Sequence, residues 1–265
     1  LANKKMGIPF VTTVHGINSI NSYSKIMTAG DQVICVGDPV RKHICKNYQT
    51  EPDKITVIPR GVDMAYFDPQ KTNNEKVKSL KKGWGIENKF VIGSIGRISR
   101  VKNFEVVVEA FAKLSLSHPN TAGLIIGGSQ DSHDNYAQSL LRYAEKLCPG
   151  RIKWTGSINQ MREAYECCDI VVNASPLMGN VARTLLESLA MNKPVVSTAM
   201  KGLDHVVKDG LNGYTFESDD ANSLAMKIRL LIDHRLPEVR RTLPERFTLD
   251  SMVRSTIEVY NKALV

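Results

Sequence analysis

The feature that most limits what this chain can fold into is a series of short, almost unbroken apolar runs separated by helix-patterned stretches. "FVIGSIG" (90–96), "AGLIIGG" (122–128), "DIVVNAS" (169–175) and "KPVVST" (193–198) lack the in–out alternation of a strand with one wet face. Between them lie "NFEVVVEAFAKLSLSH" (103–118), with apolar positions three and four apart, then "YAQSLLRYAEKLC" (136–148), "MREAYECC" (161–168) and "ARTLLESLA" (182–190). Strands that are apolar on both faces and joined through helices belong in a parallel sheet covered on both sides. The same alternation starts earlier, with strands in "PFVTTVHG", "QVICVG" and "KITVIPRGV" and a helix in "DPVRKHICKNY". It finishes with a strand in "GYTF", a helix in "DDANSLAMKIRLLIDH" capped by Asp219 or Asp220, and an amphipathic helix closing the chain.

The stretch "DPQKTNNEKVKSLKKGWGIENK" reads as a linker holding one short helix, which marks a boundary. The expected fold class is therefore α/β with parallel sheets in two domains, 1–68 joined by the helix at 249–265, and 69–248. A chain of 265 residues has room for two ordinary cores. No apolar run approaches the ~20 residues of a membrane-spanning helix, and no secretory signal pattern is present. The chain opens at Leu1 inside a readable α/β pattern, which reads as an N-terminal truncation.

The net charge of +8 is unevenly placed. Residues 1–100 hold 16 Lys and Arg against 8 Asp and Glu, and the remainder holds 19 of each. Such an excess suits an anionic membrane surface or an acidic glycan, with a merely soluble surface as the plain alternative. With aromatics at 6% and no basic recognition helix, nucleic acid ranks last among partners. The five cysteines are odd in number and without metal-ligand spacing, which points to a reducing compartment and to buried packing.

Ligands of open parallel sheets sit at the carboxyl ends of the strands, so the residues there are the candidates. In "SIGRISRVKN", Gly96 permits a tight turn, and Arg97 and Lys102 flank a short loop ahead of a helix start. Two cations beside unpaired helix amides suit a diphosphate. In "SPLMGNVARTLLESLAMNKPVVST", small residues at Gly179, Asn180 and Ala182 precede a second helix start, where the amides of Ala182, Arg183 and Thr184 face a strand-end loop. Glu187 lies one turn after Arg183 and is expected off the Leu stripe. A carboxylate there suits the vicinal diol of a ribose, and an Arg183–Glu187 helical ion pair is the plain alternative. His15, at the end of the first strand, is a candidate for contacting a sugar hydroxyl or phosphate.

In their fixed order, "VIPRGVDMAYFDP", "GSIGRISRVKN", "IKWTGSINQMREAYECCDIVVNAS" and "ARTLLESLAMNKPVVST" with "KGLDHVVKDGLNGYTF" resemble the retaining glycosyltransferase family 4, of GT-B fold. Its lipopolysaccharide and surface-glycan group looks closest. The resemblance covers nearly the whole chain and implies the first half of the N-terminal domain to be missing. By resemblance, Arg97 and Lys102 grip the donor diphosphate in place of a metal, and Glu187 matches the second Glu of an E-x7-E motif that holds the ribose. Gly156, Ser157 and Ile158 match the segment whose backbone meets the base. Val181, Ala182, Arg183 and Thr184 match the amides over the phosphates, and His15 borders the donor sugar.

Two positions depart from the pattern. The first Glu of E-x7-E falls at Gly179, so the carboxylate that reaches the transferred hexose is absent, and His205 stands where the family often has Glu. The resemblance implies hexose transfer from a UDP- or GDP-sugar to a glycan or glycolipid, without metal or cofactor. The location implied is cytoplasmic, with peripheral contact at the inner face of the plasma membrane. A chain with half its first domain is expected to turn over little by itself. A nucleotide-sugar-binding protein without transfer, and a GT-B epimerase or phosphorylase, stay open as alternatives. A dehydrogenase is set aside, because no G-x-G-x-x-G follows a first strand.

Overall fold

The computed structural model describes residues 6–129, 135–176, 182–199 and 205–264. The described residues divide into two compact units, one of 6–63 with 244–264 and one of 64–176 with 182–243. The sequence reading put these boundaries five residues later at both crossings. Among the described residues no helix is long and apolar enough to cross a membrane.

In the first unit, strands β1 (Val11–Val14), β2 (Gln32–Cys35) and β3 (Ile55–Val57) form a parallel sheet in the order β1-β2-β3. Helix α1 (Asp38–Tyr48) starts on a proline in its first turn, where the missing N–H costs nothing. It buries Val40 and Ile44 against Val33, Cys35 and Ile55. The opposite face, through Ile34 and Ile58, meets Met252 and Val259 from the closing helix of the chain, Leu249–Ala263. Chain crossings are joined here too, because the Val62 N–H donates to Phe247 and the Leu249 N–H to Val62.

The second unit opens with α2 (Asn74–Trp84), capped by the Asn73 side chain on the Lys76 N–H. This stretch, read from sequence as a linker, packs Val77, Leu80 and Trp84 into the core and so belongs to the unit. Six parallel strands follow: β4 (Phe90–Ile95), β5 (Thr121–Ile126), β6 (Ile152–Trp154), β7 (Ile170–Asn173), β8 (Val195–Thr198) and β9 (Gly213–Phe216). Their order is β6-β5-β4-β7-β8-β9. One sheet face packs on α3 (Phe104–Ser117), α4 (Asn135–Leu147) and α7 (Ala221–Asp233), through Phe104, Phe111, Leu140 and Leu224. The other packs on α2, α5 (Met161–Glu166) and α6 (Arg183–Ala190). Asp220 caps α7, accepting from the Asn222 and Ser223 N–H groups.

The sheet is built out from its middle. After β4 the chain lays β5 and β6 on one side, then returns to place β7, β8 and β9 on the other. The reversal of direction lies between β4 and β7, where an open α/β sheet parts its crossover helices and leaves a crevice at the carboxyl ends.

All five cysteines are free. Burial pushes the Cys35 thiol up to about 12 and the Cys167 thiol up to about 11. Cys168 is raised further by burial, its Sγ lying against Gly93, where a β-carbon would meet it. These three stay protonated near neutrality and serve as packing.

Candidate functional site

The loops after β4, β5 and β6 are laced together by their backbones. The Gly96 N–H donates to Ile126 at 2.9 Å, the Ile98 N–H to Gly128 at 3.0 Å, and the Gly127 N–H to Gly156 at 3.0 Å. A β-carbon on Gly127 would sit 2.0 Å from the Gly96 carbonyl oxygen, so only glycine fits there. Gly156 turns with φ +68°, and Ser157 presses its Oγ against Gly128. Ile158 packs inward on the second core. Two of the three residues, Gly156 and Ser157, thus shape the floor beside β4 by close backbone approach.

Gly96 has φ +154° and lies under the methylenes of Lys102. A β-carbon there would come within 3.2 Å of Lys102 Cε. Arg97 is exposed and Lys102 half-buried. Burial first, and the neighbouring Arg97 guanidinium second, push the Lys102 ammonium below the ordinary lysine value. The loop therefore holds two like charges close together, an arrangement that an anion between them would relieve.

The next carboxyl end, that of β7, is tied to this loop. Ser175 Oγ donates to the Val101 carbonyl at 2.9 Å. Asn173, the last residue of β7, donates from Nδ2 to Thr184 Oγ1 at 3.1 Å and accepts from the Ser175 N–H, also at 3.1 Å. This fixes the start of α6, whose N-cap Ala182 has extended backbone and offers no side-chain cap. Among the described residues no side chain caps this helix start, and helix-start amides suit an acceptor such as a phosphate. Gly179 and Val181 lie outside the described residues. His205 is exposed.

Glu187 corrects one expectation. It does not lie off the apolar stripe: every residue from Leu185 to Ala190 is buried, and Glu187 is 9% exposed. Nor is it paired with Arg183, which is exposed. Its hydrogen-bond donor is Tyr165, whose hydroxyl reaches Glu187 Oε2 at 2.7 Å. Burial raises the carboxyl above the ordinary glutamate value, against the opposing pull of the Tyr165 hydroxyl and the Arg183 charge. Sequence reasoning missed Tyr165. A single aromatic in "MREAYECC" looks like core, and only its hydroxyl, in need of a buried partner, hinted at more.

A second buried carboxylate was also missed. Glu163 on α5 pairs with Arg162 Nη2 at 3.1 Å and accepts from the Asn73 N–H at 3.5 Å, while Arg162 stacks over Tyr66. Arg240, in a polar stretch, donates to the carbonyls of Met64, Phe67 and Ala190.

The structure thus brings Arg97 and Lys102 onto one carboxyl end, and Ala182, Arg183, Thr184 and Glu187 onto the helix beyond the adjacent one. His15 follows β1 in the first unit, exposed at that strand's carboxyl end. Among the described residues no group of three or more His, Cys, Asp or Glu could hold a metal ion.

A family model, glycosyl transferases group 1, matches residues 76–247, and a second, glycosyltransferase family 4, matches residues 1–66. An uncharacterized glycosyltransferase of Methanocaldococcus jannaschii is 26% identical over 95% of this chain, which spans 64% of that relative's length. A crystallised glycosyltransferase from Rickettsia africae superposes with TM-score 0.88 at 29% identity, covering 99% of this chain and 73% of its own. HepE of Anabaena, solved in complex with UDP, superposes with TM-score 0.85 at 20% identity over 98% of this chain and 74% of its own, a likeness of fold. The α/β class with parallel sheets and GT-B relatives is as the sequence led one to expect.

Proposed function

We propose that this chain, which belongs to the glycosyl transferases group 1 family, transfers a hexose from a UDP- or GDP-sugar to a glycan or glycolipid acceptor. The transfer retains the anomeric configuration and serves the synthesis of lipopolysaccharide or a related surface polysaccharide. One observation carries the reading: a crowded pair of cations ends β4, and across the sheet reversal an uncapped helix start leads to a buried carboxylate.

The chemistry follows from charge. The bond between the anomeric carbon and the diphosphate oxygen breaks, its electrons leave with the nucleoside diphosphate, and the acceptor's hydroxyl oxygen bonds to the anomeric carbon on the same face. Stabilising that growing charge is the main task. Arg97, Lys102 and the amides at Ala182–Thr184 offset it, and the anion relieves the Lys102–Arg97 repulsion. This fills the place a divalent cation holds in other transferases. Glu187 accepts from the ribose hydroxyls, and the backbone at Gly156, Ser157 and Ile158 faces the base. The departing phosphate takes the acceptor's proton. HepE's complex with UDP supports a uridine donor as the first to try.

A second reading, a nucleotide-sugar-binding protein without transfer, is favoured by Gly179 in the place of the hexose-binding Glu. The cytoplasmic face of an anionic membrane is the proposed location. In its support, the basic first 100 residues include exposed Met6, Ile20, Tyr23 and Ile26, each at least 60% accessible.

A thermal-shift panel of nucleoside diphosphates and their sugars tests the reading. The true donor raises the melting temperature through binding linkage, and a full panel with no shift sinks it. Release of UDP or GDP in the presence of an acceptor glycolipid separates transfer from binding. A Gly179→Glu variant that gains no transfer favours the second reading.

A further inference from the structure

The proposed reading uses Glu187 but not the residues that hold it. Tyr165 is fully buried, and its hydroxyl donates to Glu187 Oε2 from α5, 22 residues upstream, with β7 between the two helices in the chain. Its ring meets the Phe67 ring edge-on, with centroids 5.8 Å apart and planes at 85°. The carbonyl of Phe67 accepts from Arg240, which also donates to Ala190, the last residue of α6. The helix carrying Glu187 is therefore held at the carboxylate by α5 and at its end by Arg240.

We propose that Tyr165 is a positioning residue for ribose recognition: it commits one oxygen of Glu187 and thereby presents the other to a pair of adjacent hydroxyls. The inference deepens the nucleotide-sugar reading and rests on it. A carboxylate has about four acceptor positions, and one buried among Leu185, Leu186 and Leu189 rotates or takes a proton unless a donor fixes it. A tyrosine suits this role. Burial and the Glu187 charge raise its own ionisation well above the ordinary value, so it remains a donor at every physiological pH. The charged and titratable groups facing the pair are Arg183, one turn earlier on α6, and Cys168 beyond the end of α5, itself raised by burial. Neither replaces the hydroxyl: Arg183 is exposed and the thiol is protonated.

The test is a Tyr165→Phe variant of the full chain, which keeps the ring and removes only the hydroxyl. Binding of UDP, GDP and their 2′-deoxy counterparts is measured by calorimetry from acid to alkaline pH, with inorganic pyrophosphate as a probe of the cation pair. Loss of one hydrogen bond to a charged group lowers the ribonucleotide affinity about tenfold or somewhat more. The preference for ribose over 2′-deoxyribose shrinks, and the acid limb of the binding profile moves to higher pH because Glu187 protonates sooner. Pyrophosphate binding stays as in the parent. A Tyr165→Phe protein with the parent's affinity, ribose preference and pH profile overturns the proposal.

If that variant does not fold, Phe67→Leu decides, with a smaller loss of ribose preference expected and an unchanged preference overturning it. Glu187→Gln is run in parallel. If it keeps affinity and ribose preference, the reading of Glu187 fails and this inference with it. If it loses both while Tyr165→Phe keeps them, only the role of Tyr165 falls.

Discussion

Glu163 on α5 and Glu187 on α6 are both carboxylates taken almost out of water, 4% and 9% exposed, yet their surroundings treat them oppositely. Burial pushes both up. At Glu163 its own backbone N–H, the Arg162 guanidinium and the Asn73 N–H outweigh burial, and the net effect is downward. At Glu187 one neutral hydroxyl and a more distant arginine do not suffice, and the net effect is upward. The first acid is satisfied by the protein and fastens α5 to the segment ahead of α2. The second receives, among the described residues, one neutral hydroxyl, and its carboxyl stays above the ordinary value.

Glu187→Gln is the strongest way to break this contrast. Nucleoside diphosphate affinity should fall by about 2–3 kcal/mol, the worth of hydrogen bonds to a charged acceptor, while urea denaturation moves little. An unchanged dissociation constant makes Glu187 another structural acid.

Glu163→Ala should do the reverse. Removing it strands the Arg162 charge and the Asn73 N–H, for a stability loss of about 2 kcal/mol seen as a lower urea midpoint. Pyrophosphate and UDP affinity should stay at the parent's value, since Glu163 lies outside the proposed site. A drop in affinity without a drop in stability overturns the assignment.

The smallest effect separates the two by pH. For Glu187 the folded form holds its proton above the ordinary carboxylate value, so its contribution to stability falls as pH rises from that value through the raised one. For Glu163 the stabilisation is present above the ordinary value and is lost as pH falls through the lowered one. Glu187→Gln should therefore flatten a decline on the alkaline side of the ordinary value, and Glu163→Gln a loss on the acid side. Denaturation midpoints across that range, with both variants sloping alike, would remove the distinction. Nucleotide binding carries a further limb. It should weaken on the alkaline side before the ordinary lysine value, because Lys102 loses its proton early.

Most of the scaffold could be read from the residues themselves. "DPVRKHICKNY" is α1 to the residue, because a proline in the first turn and a polar flank mark both ends. The Val/Ile runs became the strands of the larger sheet, since nothing else accommodates apolar side chains on both faces. The cation pair was legible because its loop is local: Lys102 lies six residues after Gly96, and its methylenes would meet a β-carbon placed there. Glu187 was legible as an anomaly, but its exposure was not. Helical periodicity assumes one wet face, and α6 has none over its last six residues. Tyr165 escaped because its partner comes from another element, 22 residues away, and Glu163 because the Asn73 N–H that it ties to α5 lies 90 residues away. Arg240 escaped for the same reason, its acceptors lying 176, 173 and 50 residues upstream.

That arginine has a practical consequence. The second unit begins at Met64 and ends at Leu243, and Arg240 grips Met64 and Phe67 from three residues before the far end. The two termini of the unit are thus fastened side by side by one guanidinium. Residues 64–243 could be lifted out as a separate piece, or spliced tail to head and reopened at a surface turn, with the knot at the seam already tied.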